Sequence, residues 1–316
     1  MPNMDLLNQE FNEKRYNRKY IDGYIRKEIL ANPDMVAKMQ DGVSRLIQWM
    51  QGSYYPSKDN RIAQLRGLDL QALVLDVFVG VAYCQTPELF TSVTAQLAGR
   101  LGFSDKTAAI TTVAEITAIL CYTDAFDIRK ASKMASLEVV SCIPLSVGLV
   151  DFVINSQYLP PMVCEPQHLK HNFSSGYLTH NDSLILGGPI NHHDGDICLD
   201  VLNTMNKVAL KLDLDFLCTV EEEPTFALDT EDKRMQWENF KKQSYRFYDL
   251  IQSQGNRFYL THKVDKRGRI YAQGYHITTQ GTAFKKAMLE LAEPEYIEGV
   301  PCPTCPSAST TSTTNS

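Results

Sequence analysis

The sequence predicts a mainly α-helical fold with a small α+β part, and three observations carry that expectation. Helical periodicity fills residues 1 to about 150, a Pro- and Gly-dense connector follows from about 157, and a strand, a tight turn and a second strand stand near the end of the chain. With 44% hydrophobic and 22% charged residues in 316, the chain has room for a large core and more than one domain.

The N-terminal helices come first. NEKRYNRKYIDGYIRKEIL reads as one charged helix with Tyr16, Tyr20, Tyr24 and Ile25 near one face, and DMVAKMQDGVSRLIQWM repeats the period with Met35, Met39, Val43, Leu46 and Met50. GLDLQALVLDVFVGVAY and KTAAITTVAEITAILCY are apolar nearly all round, as helices buried in a multi-helix core are. QYLPPMVCEP then holds three prolines in ten residues, which keeps it extended, while SSGYLT and SLILGGPINHHDGD supply glycines for turns.

Helical spacing returns at Cys198, Leu202, Met205, Ala209, Leu212 and Phe216, with Asp196 placed to cap the start. After the acidic loop EEEPTFALDTED, a second helix puts Trp237, Phe240, Ser244, Phe247, Tyr248 and Ile251 on its inner face and ends at Gly255. The two are expected as an antiparallel pair over 197–255. Lys241, Lys242 and Arg246 lie on the second, where a run of charge is most simply a solvated face.

Beyond Gly255, RFYLTHKV alternates Phe258, Leu260, His262 and Val264 against Tyr259, Thr261 and Lys263, the pattern of a half-buried strand. DKRG is a turn in which Asp265 accepts backbone N–H bonds and Gly268 tolerates positive φ, and RIYAQGY returns as the second strand of a hairpin. The expected organisation is therefore a helical domain with its connector over 1–196, the helix pair over 197–255, the hairpin region over 256–300 and a low-complexity tail over 301–316.

Several function classes find no support. The first residues lack the apolar run of a secretory signal, and VVSCIPLSVGLVDFVI is broken by Pro144 and Asp151 short of the ~20 residues a membrane helix needs, so a cytoplasmic protein without membrane contact is expected. The eight scattered cysteines read as buried free thiols, and the single C-x-x-C of Cys302 and Cys305 lacks two further ligands for zinc. His193 and Asp194 sit in a Gly-rich loop and read as a turn leading to the Asp196 cap. No phosphate-binding G-x-x-x-x-G-K-[ST] loop and no Ser-His-Asp or Cys-His arrangement stands out.

Charge points elsewhere. The chain carries a net charge of -6, yet between Arg257 and Lys286 seven Lys or Arg face one acid, Asp265. Such asymmetry is what a localised polyanion contact looks like. Arg267 and Arg269 are two residues apart, so both guanidiniums are expected on one hairpin face, continued by Tyr271. A planar guanidinium binds phosphate oxygens bidentately, and a tyrosine ring packs on a sugar or a base. Asp265 is expected to hold the turn or orient an arginine. Charge alone does not separate this from an ordinary exposed hairpin.

The order of residues does. D-x-R-G-R-x-Y over Asp265, Arg267, Gly268, Arg269 and Tyr271, followed by Gln280-Gly281 and then Lys285 and Lys286, resembles the D-x-x-G-R motif of single-subunit phage and mitochondrial RNA polymerases. PPMVCEP, SSGYLT and the segment from WENFKKQ to RIYA are similar to that family's Pro-rich, Gly-Tyr, thumb and palm-entry segments. Thr279 stands where the family has Pro, and the gap before Gln280 is one residue longer.

The resemblance implies that Arg267, Arg269 and Tyr271 contact the template strand and the RNA–DNA hybrid, and Lys266 beside them is expected on the same nucleic-acid-binding surface. Gln280, Gly281, Lys285 and Lys286, with Lys241, Lys242 and Arg246 on the thumb, would add to that surface, while Asp265 and Gly268 hold the turn. In the family the catalytic Asp-Gly, Lys with Tyr-Gly, and His-Asp motifs follow this hairpin, and two aspartates hold Mg2+. Only 47 residues follow Arg269 here, and none of those motifs is among them. The chain accordingly resembles the smaller subunit of the split RNA polymerase of N4-like phages, acting in the infected host's cytoplasm. A partner chain would supply palm, fingers and Mg2+, a single-stranded-DNA-binding or recruitment factor is a further expected partner, and this chain alone would be inactive. The competing reading is a stand-alone nucleic-acid-binding or regulatory protein.

Overall fold

The computed structural model describes residues 3–131, 136–155, 158–187 and 195–294. Among them the chain begins with α1 (Met4–Tyr16), α2 (Arg18–Ala31), α3 (Pro33–Met50), α4 (Pro56–Leu65), α5 (Leu70–Ala82), α6 (Phe90–Ala98), α7 (Lys106–Leu120) and α8 (Val147–Asn155). The side chains of Asn3, Asn17, Asn32, Asp69 and Asp105 accept first-turn N–H groups and so set five of these starts. Strands β1 (Glu88–Leu89), β2 (Phe126–Lys130) and β3 (Leu137–Ser141) form an antiparallel sheet in the order β1-β3-β2.

The single helix expected over NEKRYNRKYIDGYIRKEIL is two. Asn17 closes α1 and caps α2 with its side chain on Lys19 N, because an extended residue with a local hydrogen-bond acceptor competes with helix continuation. Ile21, Ile25 and Ile29 form the buried stripe of α2, and the three tyrosines are only half-buried. Met35, Met39 and Leu46 of α3 are buried as their spacing predicts. Gly42 lets α3 approach α7, since a Cβ there would lie 2.8 Å from Leu120 Cδ2. One apolar core joins α2 to α8 with β2 and β3, from Ile21 to Val153.

The second half holds α9 (Leu199–Asn206), β4 (Ala209–Leu212), α10 (Leu214–Thr219), α11 (Glu231–Ser253), β5 (Phe258–Tyr259), β6 (His262–Val264), β7 (Ile270–Ala272), α12 (Ala283–Ala287) and β8 (Leu289–Leu291). The long first helix expected over 197–216 is thus not formed. Ala209 and Leu212 fit the helical period while Leu210 and Leu212 fit a period of two, and β4 takes the strand because β5 and β8 flank it in an antiparallel sheet ordered β5-β4-β8. Asp196 does not cap α9, whose cap position is Cys198 without a side-chain bond. The second expected helix is present as α11, started by Thr230 and followed by Gly255 at φ 102°.

The fold is mainly helical with small antiparallel sheets, as the sequence predicts. A second core gathers Leu210, Leu212, Phe247, Ile251, Phe258 and Met288, and Tyr16 of α1 packs against it with its ring 5.5 Å from that of Phe247. The six described cysteines are free, but only Cys84 and Cys164 are buried, while Cys142 and Cys218 are exposed. No helix among the described residues is long and apolar enough to cross a membrane.

Candidate nucleic-acid interface

The hairpin forms as its turn chemistry dictates. Val264 pairs with Ile270, Lys263 with Tyr271 and His262 with Ala272. Gly268 donates to Asp265 O at 2.9 Å with φ 80°, a backbone conformation that glycine adopts without strain.

Asp265 is the hub of the tip. Its Oδ1 accepts from the backbone N–H groups of Arg267 at 2.9 Å and Arg269 at 3.0 Å, while Oδ2 takes Arg269 Nε at 2.7 Å, Arg267 Nε at 3.3 Å and the Tyr271 hydroxyl at 3.3 Å. Desolvation is the largest single influence on Asp265 and opposes its ionisation, but the bonds and charge of Arg269, with the Tyr271 hydroxyl, together outweigh it, so its carboxyl titrates below the usual range. The guanidiniums therefore fold back onto one carboxylate instead of standing free. They stay accessible, with side chains 72% and 52% exposed for Arg267 and Arg269. One carboxylate against two guanidiniums leaves positive charge in excess, and Lys266 beside them is exposed. A guanidinium has five N–H donors, so contact with one carboxylate orients the fork and leaves donors for a phosphate.

The strand leading into the hairpin is not half-buried. Phe258, Tyr259, Leu260, Thr261 and His262 are all buried, because the connector covers the outer side. Met162 exchanges two backbone bonds with Tyr259, and Leu184 and Leu186 bond Val264. The connector is in turn held by α1, whose buried face is polar. Glu13 accepts from Leu178 N at 2.9 Å, Thr179 N at 2.8 Å and Gln9 Nε2 at 2.9 Å, and Gln9 Oε1 accepts from Val163 N at 2.9 Å. Burial by itself raises the Glu13 pKa, but His180, Thr179, Gln9 and Leu178 overcome it and hold the carboxyl at about 2. Nothing in the local sequence of α1 marks this role, since every partner but Gln9 lies beyond residue 160.

The remaining predicted site residues divide. Gln280 is committed internally, its amide donating to Ile270 O at 3.0 Å and accepting from Ala272 N at 2.9 Å along the open edge of β7. Lys285 is buried instead of exposed. Its Nζ donates to Tyr275 O at 2.7 Å and lies 5.0 Å from the Phe240 ring, and burial lowers its pKa against the pull of Glu222. Gly281 packs on it, and a Cβ there would lie 2.6 Å from Lys285 Cδ. Arg246 bonds Asn155 Oδ1 at 2.9 Å and ties α11 to α8, and Lys241 lies 3.7 Å from Glu221. Lys242 and Lys286 are exposed.

Sequence reasoning missed His276. It is buried beside Phe240 and Phe247, its Nδ1 is 2.8 Å from Ser244 Oγ, and burial followed by the Lys285 charge pushes its pKa down to about 4. Among the described residues no three His, Cys, Asp or Glu side chains converge to hold a metal ion, so these residues do not fit the Mg2+ pair of a polymerase centre. His193, Asp194, Cys302, Cys305 and the tail lie outside the described residues.

A probable DNA-directed RNA polymerase of Gelasinospora sp. (strain G114) is 27% identical to this chain over 165 residues, which are 48% of the chain and 19% of that protein. The chain is related to a DNA-directed RNA polymerase. The similarity is distant, and it spans about a fifth of the relative's length. No protein-family model matches.

Proposed function

We propose that this chain is a subunit of a two-chain phage DNA-directed RNA polymerase, and that it grips the template strand and the RNA–DNA hybrid with its hairpin. In this reading the helical N-terminal part and α11, acting as thumb, frame the nucleic acid, while palm, fingers and Mg2+ belong to a partner chain. A recruitment or single-stranded-DNA-binding factor delivers the promoter. The observation that carries the reading is the Asp265 hub, which fixes two exposed arginines and Tyr271 in one cluster within an otherwise acidic chain. The distant polymerase relative supports it.

The activity of the pair falls to a run-off transcription assay with this chain alone, the partner alone and both together. Synthesis is expected only from the pair, and robust synthesis by this chain alone overturns the split. Arg269→Ala is expected to cut synthesis by the pair by about tenfold or more while co-purification with the partner persists, because a charge-assisted phosphate contact is lost and the interface is not. A wild-type rate for Arg269→Ala at both low and high salt removes the assigned role.

A further inference from the structure

We infer that the cavity at the root of the hairpin receives one unstacked nucleobase of the single strand whose phosphates meet the hairpin tip. This rests on the nucleic-acid reading above and adds a site to it. Arg269 and Tyr271 lie two apart and share a face, and the cross-strand partner of Tyr271 is Lys263. Lys263 in turn lines a cavity of about 360 Å3 whose walls include Tyr158, Tyr177, Asp182, Gln273 and Tyr275. The arginine tip and the cavity are thus two ends of one surface. The volume is at the low end of the roughly 300–1,000 Å3 of small-ligand sites, suited to a base with its sugar and too small for a duplex.

Rings stand on two sides of this space. Tyr158 and Tyr275 stack at 3.9 Å with planes 6° apart, and Tyr177 stacks with His180 at 4.9 Å. Tyr275 is 42% exposed, so its pair offers a stacking platform reachable from solvent. Charge decides which end of a nucleotide enters. The Lys263 ammonium is already met by Asp182 at 2.6 Å, and the buried Glu13 carboxylate lies 3.7 Å behind His180. A phosphate would meet Asp182, with the Glu13 charge behind the wall and no unclaimed cation among the described lining residues, whereas a neutral base suffers no such repulsion. The phosphates accordingly stay at the tip and the base turns inward. Gln273 spends its backbone N–H on Thr261 O at 2.7 Å and leaves its side-chain amide without a partner among the described residues. That amide both donates and accepts, as the edge of a base requires.

The test is an abasic scan. The full chain is titrated against short labelled single-stranded DNAs, each with one abasic position, and against the matching RNAs, by fluorescence anisotropy. One position is expected to lose about tenfold in affinity while its neighbours change little, as the loss of one base–aromatic contact does. That position effect should vanish in Gln273→Ala and in Tyr275→Ala, whereas Arg269→Ala should weaken every oligonucleotide alike and keep the position effect. A position effect with DNA or with RNA supports the site, and the comparison assigns the strand. A flat scan with Arg269→Ala still weakening binding, or a position effect unchanged in both cavity variants, overturns the pocket and leaves the hairpin reading standing. Absence of single-strand binding by the wild-type chain at low salt overturns both.

Discussion

Asp265 determines what the two tip arginines can do: without it they would be long flexible cations, and with it they become a fixed pair of forks. Its part in holding the turn is legible in the sequence because all its partners lie within six residues. Glu13 is the opposite case, a buried carboxylate whose backbone partners are 165 and 166 residues away. Glu13→Gln keeps the shape and removes the charge that three N–H donors of the connector and α1 share, so a loss on the order of 2–3 kcal/mol is expected in denaturant unfolding. The pH dependence has a definite sign. The Glu13 contribution is present above the ordinary carboxylate value of 4.5 and is lost as pH falls from there towards its folded value of about 2. His276 acts earlier, because its folded value of about 4 lies below the ordinary 6.5, so the unfolded chain takes the proton first and stability declines from pH 6.5 to 4. His276→Phe, which keeps a ring beside Phe240 and Phe247 and removes the titrating group, is expected to gain on the wild type in thermal unfolding across that window. A difference between the two curves that does not change with pH would contradict this.

At the scale of elements, the hairpin was readable and the helix pair was not. DKRG specifies its turn through Asp265 and Gly268 alone, whereas Ala209–Leu212 has a pattern compatible with helix or strand, and β5 and β8 decide it. The three-residue β7 shows how a short strand is completed: the Gln280 amide bonds its open edge as a neighbouring strand would. Gln280→Ala is therefore expected to leave the Tm nearly unchanged while the Ala272 amide exchanges with solvent markedly faster. Unaltered protection at Ala272 would show that the edge is held by something else. Gly274 follows β7, and a Cβ there would lie 2.2 Å from Ile277 O, a backbone clash that no rotamer relieves. Gly274→Ala is expected to cost on the order of 2 kcal/mol.

For the whole molecule, a net charge of -6 stands against the cationic segment from Arg257 to Lys286. In the proposed reading the exposed tip attracts a phosphate backbone and the acidic remainder repels it, so the contact is salt-sensitive. The logarithm of affinity for single-stranded DNA should fall linearly with the logarithm of salt concentration, and Arg269→Ala should reduce that slope by about 1. Arg246→Ala should leave the slope alone, since Arg246 stands on α11 against α8 and is not part of the hairpin tip. Equal slope changes for the two variants would mean that the tip is not the point of contact.

The sequence by itself determined the helical character of the first half, the hairpin with its tip, and the place of the cationic segment, because each depends on interactions within a few residues. It also carried the ordered motif that resembles a polymerase. Only the tertiary structure decided that Lys285 is buried under Phe240, that the side chains of Gln280 and Arg246 bond within the chain, that β4 is a strand, and that α1 turns Gln9 and Glu13 inward to hold the connector and Asn12 inward to meet Gln254. The physical reason is the same in each case: the free energy of these side chains is set by groups distant in the chain, and one residue's chemistry does not reveal what will be packed against it.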